Sequence, residues 1–303
     1  MNTCRCGVGR RGYPVPMILV TGSTGRIGLP LVRLLCAAGQ PVSVLLRSRD
    51  RADRFLGLKV EIRIADLARP RDLSTELIGV ERLFLLSPIT PDLAERELRL
   101  IQAALRASVK HVVKLSALGA SPDWMVPAPQ WHWEAEQRLQ SSGLAWTLLR
   151  PTYFMQNLLA LVPAVMSGVL PLPLGDARVS MIDVRDIAEV AMRALTERGH
   201  EGRLYELTGP TPVGGADVAQ TLSDVLAKPV QYIDQPEEQA ISAMRRAGLP
   251  DWLVDQRTAA FRSYRHAGPE GYAARVSDAV AQVTGMPPRG LASFVRDNLV
   301  DFT

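Results

Sequence analysis

Residues 17–28, MILVTGSTGRIG, constrain this chain more than any other segment. Met17-Ile-Leu-Val-Thr21 is a short apolar run of the kind that forms a buried strand. Gly22, Ser23, Thr24, Gly25, Arg26, Ile27 and Gly28 follow as a turn. Over 26–38 the apolar residues recur at helical spacing, and Gly39 supplies the stop. Strand, glycine turn and helix in this order begin a βαβ unit, which calls for a parallel sheet covered by helices. The glycines suit an anion. Gly22 permits the tight turn, Gly25 lets backbone approach a pyrophosphate, and Gly28 lets the helix pack on the strand. The free N–H groups of the helix N-terminus then face the anion. The whole turn, including Ser23, Thr24, Arg26 and Ile27, is a candidate cofactor cradle.

The rest of the sequence continues the alternation. Strands are expected over 41–46, 60–65, 82–86, 111–115 and 145–149, with helices over 92–107 and 130–142. Beyond Arg150-Pro151 the pattern weakens. Residues 179–183, a helix over 186–196 and residues 203–208 read as a return to the sheet. Segments 155–174 and 209–303 read as mainly helical. The expected fold is α/β: a Rossmann-type, doubly wound parallel sheet with a smaller, mainly helical C-terminal lobe. Its NAD(P)-binding part spans 17–154 and is rejoined by 175–208. The lobe takes 155–174 and 209–303.

With 47% hydrophobic and 22% charged residues among 303, a sizeable core is within reach and whole-chain disorder is not. No apolar run reaches the length of a membrane span. Three cysteines, Cys4, Cys6 and Cys36, make no disulfide scaffold and point to a reducing, cytoplasmic setting. Of the formal +4 charge, three units come from Arg5, Arg10 and Arg11. The body is therefore near neutral, which argues against a nucleic-acid partner. Residues 1–16 lack periodicity and contain no apolar stretch of a secretory signal. A true start at Met17, a disordered tail, and a Cys4–Cys6 metal site without a second ligand pair stay open for them. Elsewhere the His, Cys and Asp spacing suggests no metal.

The end of the second strand selects the cofactor. An NAD site places an acid there for the ribose hydroxyls. This strand ends Leu45-Leu46-Arg47-Ser48-Arg49, and Arg47 and Arg49 suit a 2′-phosphate, so NADP(H) is preferred with NAD(H) as the alternative. Asp50 is the competing acid at this strand end, but reads more readily as the N-cap of a helix beginning near Arg51. Asp66, with Leu67, follows the third strand and either meets the adenine or serves a turn. Ser87-Pro88 and Ser116 end the fourth and fifth strands, at the carboxyl edge where such sheets bind ligands. Each either hydrogen-bonds a ligand or caps the next segment. Pro151, Thr152, Tyr153 and Phe154 follow the sixth strand as a candidate wall of the nicotinamide pocket, and Tyr153 is also a candidate acid.

The Tyr-x-x-x-Lys pair of short-chain reductases is missing. No tyrosine has a lysine four residues later, and no lysine lies between Lys114 and Lys228. A series of other marks carries a specific resemblance over residues 17–302. They are the glycine turn, Val112-Val113-Lys114-Leu115-Ser116, His132-x-x-x-Glu136, and Leu149-Arg150-Pro151-Thr152-Tyr153-Phe154 with Asn157. Asp183-Val-Arg-Asp186-Ile-Ala, Tyr205-Glu-Leu-Thr-Gly209 and Thr284-Gly285 complete them. In this order they resemble the NmrA-like family of atypical short-chain dehydrogenase/reductases, including its NADPH-dependent quinone and triphenylmethane-dye reductases. The resemblance implies a Rossmann domain, a small C-terminal lobe and a substrate cleft between them. It puts Ala128 where related enzymes carry the tyrosine and His132 where they carry the lysine. His132 then lines the nicotinamide site with Glu136 on the same helical face, or the two are a helix-surface pair.

A site lacking the Tyr/Lys acid suits acceptors that need little protonation. The expected reaction is hydride transfer from NAD(P)H to a small, flat, apolar electrophile: a quinone, an enone or a dye-like carbon. Two alternatives stay open. One is a pathway-specific carbonyl reductase with Ser116, His132 or Tyr153 as donor. The other is an NADP(H)-binding redox sensor without turnover, acting through a protein partner. The expected partner is a small-molecule substrate, with no nucleic acid and no membrane.

Overall fold

A computed structural model describes residues 16–69 and 72–302. The readings placed on residues 1–15, including the Cys4–Cys6 site, lie outside the described residues. The elements alternate through the first half. They are β1 (Met17–Val20), α1 (Gly28–Ala37), β2 (Val42–Leu46), β3 (Val60–Ile64), β4 (Val80–Leu85), α2 (Leu93–Arg106), β5 (His111–Leu115), α3 (Pro127–Gln140) and β6 (Ala145–Pro151). There follow α4 (Val162–Met166), β7 (Val169–Leu172), α5 (Val184–Thr196), β8 (Arg203–Leu207), α6 (Gly215–Leu226) and β9 (Gln231–Asp234). Helices α7 (Glu237–Arg246), α8 (Asp251–Ala267), α9 (Ala279–Thr284) and α10 (Leu291–Asp297) complete the chain.

Seven strands form one sheet in the order β3-β2-β1-β4-β5-β6-β8. The strands from β3 through β6 pair in parallel, with Ile18 opposite Val42, Val20 opposite Phe84, and Leu83 opposite Val112. The strand order reverses direction between β1 and β4, the place where such sheets take ligands. Both faces are covered, so the strands read as continuous apolar runs: Ile18, Leu19 and Val20 are all fully buried. Leu19, Leu83, Leu85, Val112 and Leu148 pack with Leu100, Ile101 and Ala104 of α2 in one cluster. Helix α2 buries Leu93, Glu97, Leu100, Ile101 and Ala104, a stripe at helical spacing. One member of that stripe is a carboxylate.

Contacts divide the chain into two compact units. One holds the chain through Ser116 together with His132–Leu149 and Ala188–Tyr205. The other holds Ala117–Trp131, Arg150–Ile187 and the chain from Glu206 onward. The second unit has its own core, with Leu158, Leu170, Leu222, Phe294 and Phe302 at its centre.

The fold corrects several details. Residues 179–183 form no strand, because their partners are scattered: the Val179 N–H donates to Val213, Ser180 to Ala273 and Ile182 to Tyr153. Three acceptors on three segments make bridges but no ladder. Segments read as helical contain β7 and β9, which pair with each other in parallel. Pro171 inside β7 masks that strand, since proline cannot donate to a ladder. Helix α3 starts at Pro127, three residues before the expected 130, and proline is at home in a first turn where no N–H is needed. Among the described residues, no helix is long and apolar enough to cross a membrane.

Candidate active site

The glycine turn is held at the switch point by Thr21. Its N–H donates to the Phe84 carbonyl at 3.1 Å, and its Oγ1 accepts from the Leu86 N–H at 2.8 Å. The ends of β1 and β4 are thereby tied together. Gly22 has φ +60, and a Cβ there would lie 2.7 Å from Leu86 Cγ and 3.0 Å from the Leu86 carbonyl. At Gly28 a Cβ would lie 2.3 Å from the Gly22 carbonyl and 2.7 Å from Ser23 Cα. Both positions therefore require glycine. Gly25 and Arg26 are exposed at the crest, Ser23 and Ile27 are buried beneath it, and Thr24 is half-buried. The N-cap residue of α1, Ile27, makes no side-chain capping bond, and the first turn of α1 carries no acid. That helix end suits an external anion.

A groove of ≈ 390 Å³ lies along the carboxyl ends of β1 to β4. Gly22, Ser23, Thr24, Arg47, Asp66, Leu67 and Pro88 line it, as do Ser48, Arg51, Leu86 and Arg96. Arg51 is a residue the sequence reading missed. It enters because residues Arg49–Phe55 form a 3₁₀ helix whose tight winding brings it back over the β2 end. Arg49 is not among the lining residues. Asp50 is not an N-cap either: Ser48 occupies that position, and Asp50 takes the Ser48 hydroxyl from within the first turn. This bond holds the Asp50 carboxyl below the usual carboxylate range. The β2 end thus offers two guanidiniums to the groove, and the carboxylate among its lining residues is Asp66, after β3. Asp66 serves a turn and also lines the groove. Its Oδ1 accepts the Ala68 N–H at 3.0 Å, an Asx turn, while the residue faces the groove.

The tight turn, uncapped helix end and paired arginines fit a dinucleotide with a 2′-phosphate. The residues that could hold one are Gly22, Gly25 and Gly28 with their neighbours at the pyrophosphate, Arg47 and Arg51 at the phosphate, and Asp66 with Leu67 at the base.

Further along the same unit, Ser87 and Ser116 are each 3% exposed. Among the described residues Ser116 Oγ has no hydrogen-bond partner. His132 is also 3% exposed and Glu136 is fully buried, so a helix-surface pair is excluded. Both sit on the inward stripe of α3 with Ala128, Ala135 and Leu139. His132 Nδ1 meets Lys114 Nζ of β5 at 3.1 Å. Lys114, fully buried, donates to the Leu115 carbonyl at 3.0 Å and pairs with Glu97 Oε2 of α2 at 2.7 Å. Burial holds the His132 imidazole well below its ordinary range, and the Lys114 charge adds to this. Burial pushes the Glu97 carboxyl up, while Lys114 and Ser87 pull it back. Neither Lys114 nor Glu97 was read as part of a site. The signal was available: a glutamate in the apolar stripe of α2 and a lysine in a wholly buried strand both need a partner.

In the second unit, Pro151 ends β6. Thr152 is fixed there, its Oγ1 donating to the Ser180 carbonyl at 2.6 Å. Tyr153 packs against Phe261 and Tyr264, with ring centroids 6.1 and 6.4 Å apart. Phe154 bridges to Ile182. The Asp183-Val-Arg-Asp186 motif is structural. Asp183 Oδ1 accepts the Arg185 N–H at 2.9 Å and the Gln156 amide at 2.8 Å, and Asp186 accepts the Arg289 N–H at 2.8 Å. A second cavity, of ≈ 310 Å³, is lined by residues including Phe261, Thr258, Met244, Arg262 and Arg265.

The model of the NmrA-like family matches residues 15–281, most of the chain. The chain belongs to the NmrA-like family. This NmrA-like protein is 42% identical to an NAD(P)H azoreductase of Xenophilus azovorans, over 94% of its own length and 99% of the relative's. It is 36% identical to a (4-alkanoyl-5-oxo-2,5-dihydrofuran-3-yl)methyl phosphate reductase of Streptomyces griseus, over 90% and 94% of the two chains. Among solved structures, it is similar to an NADPH-dependent quinone oxidoreductase of Escherichia coli solved with NADPH. The TM-score is 0.84 at 29% identity, and the match covers 93% of this chain and 100% of that one.

Proposed function

We propose that this NmrA-like protein is an NAD(P)H-dependent oxidoreductase that prefers NADP(H) and reduces a small, flat, conjugated acceptor. The observation that carries the reading is the switch-point groove, which presents Arg47 and Arg51 at the β2 end where an NAD site carries an acid. Its relatives are named for azo, quinone and dihydrofuranone reduction, acceptors that share a conjugated, electron-poor system. When bound, the reduced nicotinamide supplies hydride. The protein binds the phosphates on the glycine turn, reads the 2′-phosphate with Arg47 and Arg51, and holds the base beside Asp66 and Leu67. Ser87, Pro88, Ser116 and His132 serve the nicotinamide end. Tyr153, in its aromatic cluster, acts as an apolar surface rather than an acid. With no Tyr/Lys acid, orientation of donor and acceptor supplies most of the rate. The protein's three cysteines, too few for a disulfide scaffold, favour a reducing, cytoplasmic setting.

The test is anaerobic consumption of NADPH and NADH with a quinone, an azo dye and a cationic triarylmethane dye. Steady turnover on at least one, faster with NADPH, is expected. Tight NADPH binding without turnover on all three would instead make the protein a nucleotide sensor.

A further inference from the structure

The Glu97–Lys114–His132 group brings together three ionisable side chains from three elements, all nearly or fully buried. A buried ion pair is weak support for stability, since an apolar cluster of the same volume does as well or better. Its geometry has a more specific consequence. An ammonium carries three donors and no acceptor. Here two of the three go to the Leu115 carbonyl at 3.0 Å and to His132 Nδ1 at 3.1 Å, and the charge itself pairs with Glu97 Oε2 at 2.7 Å.

We propose that Lys114, anchored by Glu97, is a positioning residue that fixes His132 as the neutral Nε2–H tautomer, a hydrogen-bond donor aimed at acceptors that gain charge on oxygen or nitrogen. The acceptor part rests on the reductase reading above; the tautomer does not. Nδ1 facing an ammonium must offer its lone pair, so a neutral ring carries its proton on Nε2. A second positive charge beside Lys114 is disfavoured in so dry a place, so the ring stays neutral. With Nδ1 engaged by Lys114, Nε2 is the ring nitrogen left to donate to a ligand. As hydride reaches a quinone or azo group, the negative charge left on oxygen or nitrogen is met by Nε2–H. The proton that completes the product comes from water, so His132 and Lys114 end the step unchanged. A cationic carbon acceptor is neutralised by the hydride itself and gains nothing from this donor. The device therefore selects quinone-like and azo-like acceptors over cationic dyes.

The test begins with the full chain, ¹⁵N-labelled at its four histidines and without nucleotide. His132→Gln identifies the His132 signals. An unprotonated Nδ1 and a protonated Nε2 near neutral pH are expected, and a proton on Nδ1 overturns the assignment. Lys114→Met with Glu97→Gln removes both charges and strands neither. In that double variant the two tautomers should mix, and an unchanged spectrum also overturns the assignment. Should the double variant not fold, the wild-type spectrum alone decides. The same variant should lower the ratio of quinone to cationic-dye turnover at least about tenfold. Equal losses on both acceptors overturn the acceptor role. A wild-type chain that binds NADPH but reduces nothing removes the reductase reading, and the tautomer still decides the role of Lys114.

Discussion

Coenzyme choice should rest on Arg47 and Arg51, and the size of the effect follows from where they sit. Both line the groove at the end of β2, and Arg47 is exposed. A hydrogen bond to a charged group contributes about 1.5–3 kcal/mol. Solvent screening at an exposed position favours the lower figure. Arg47→Ala should therefore weaken NADPH by about 1.5 kcal/mol, roughly tenfold in Kd. The double variant Arg47→Ala with Arg51→Ala should lose about 3 kcal/mol, on the order of 100-fold. NADH lacks the 2′-phosphate and should bind both variants almost as it binds the wild type. Calorimetric titration of each protein with each nucleotide gives the comparison. Repeating it at raised ionic strength should narrow the wild-type preference, since screening weakens the shared pyrophosphate contacts of both nucleotides but the 2′-phosphate contact of NADPH only. Equal losses for the two nucleotides would mean that these arginines hold the loop rather than read the phosphate. An unchanged NADPH affinity in the double variant would place the 2′-phosphate elsewhere.

Gly28 and Gly25 should fail differently. Gly28→Ala drives a Cβ to 2.3 Å from a backbone carbonyl, so thermal unfolding should report a loss of about 1–3 kcal/mol together with weakened NADPH binding. At exposed Gly25 a Cβ would lie 3.1 Å from the Gly22 carbonyl, a milder contact than at Gly28, so Gly25→Val should lower Tm less than Gly28→Ala while NADPH binding is abolished. Stability should also fall in acid. Burial holds His111 down at about 4, where its Nε2 faces Thr147 Oγ1 at 2.9 Å. The unfolded chain, titrating near 6.5, takes up the proton first, so stability is full above about pH 6.5 and declines toward pH 4 by about 3 kcal/mol. Denaturant titrations across that range should show a flatter acid limb for His111→Phe, and an unchanged limb would assign the loss to other groups such as His132.

Local chemistry was legible where one short segment carried its own instructions. The apolar runs at β1, β2 and β5, the glycine turn and the stop of α1 at Gly39 each needed only neighbours in sequence, because strand pleat, helix period and turn dihedrals are local properties. So was the preference for arginine over an acid at the β2 end. The wound α/β fold followed, since alternating elements with doubly apolar strands have few other solutions. What the tertiary structure alone decided was pairing at a distance. Residues 179–183 look like a strand, yet their N–H groups found three separate acceptors. Arg51 entered the groove and Arg49 did not, because the winding of a 3₁₀ helix selects between residues two apart. Lys114 and Glu97 were each visible as charges in apolar stripes, but no spacing rule joins α2, β5 and α3. Only the packed sheet brings an ammonium within 2.7 Å of one carboxylate and 3.1 Å of one imidazole nitrogen, and a buried charge has to find its partner wherever the fold places it.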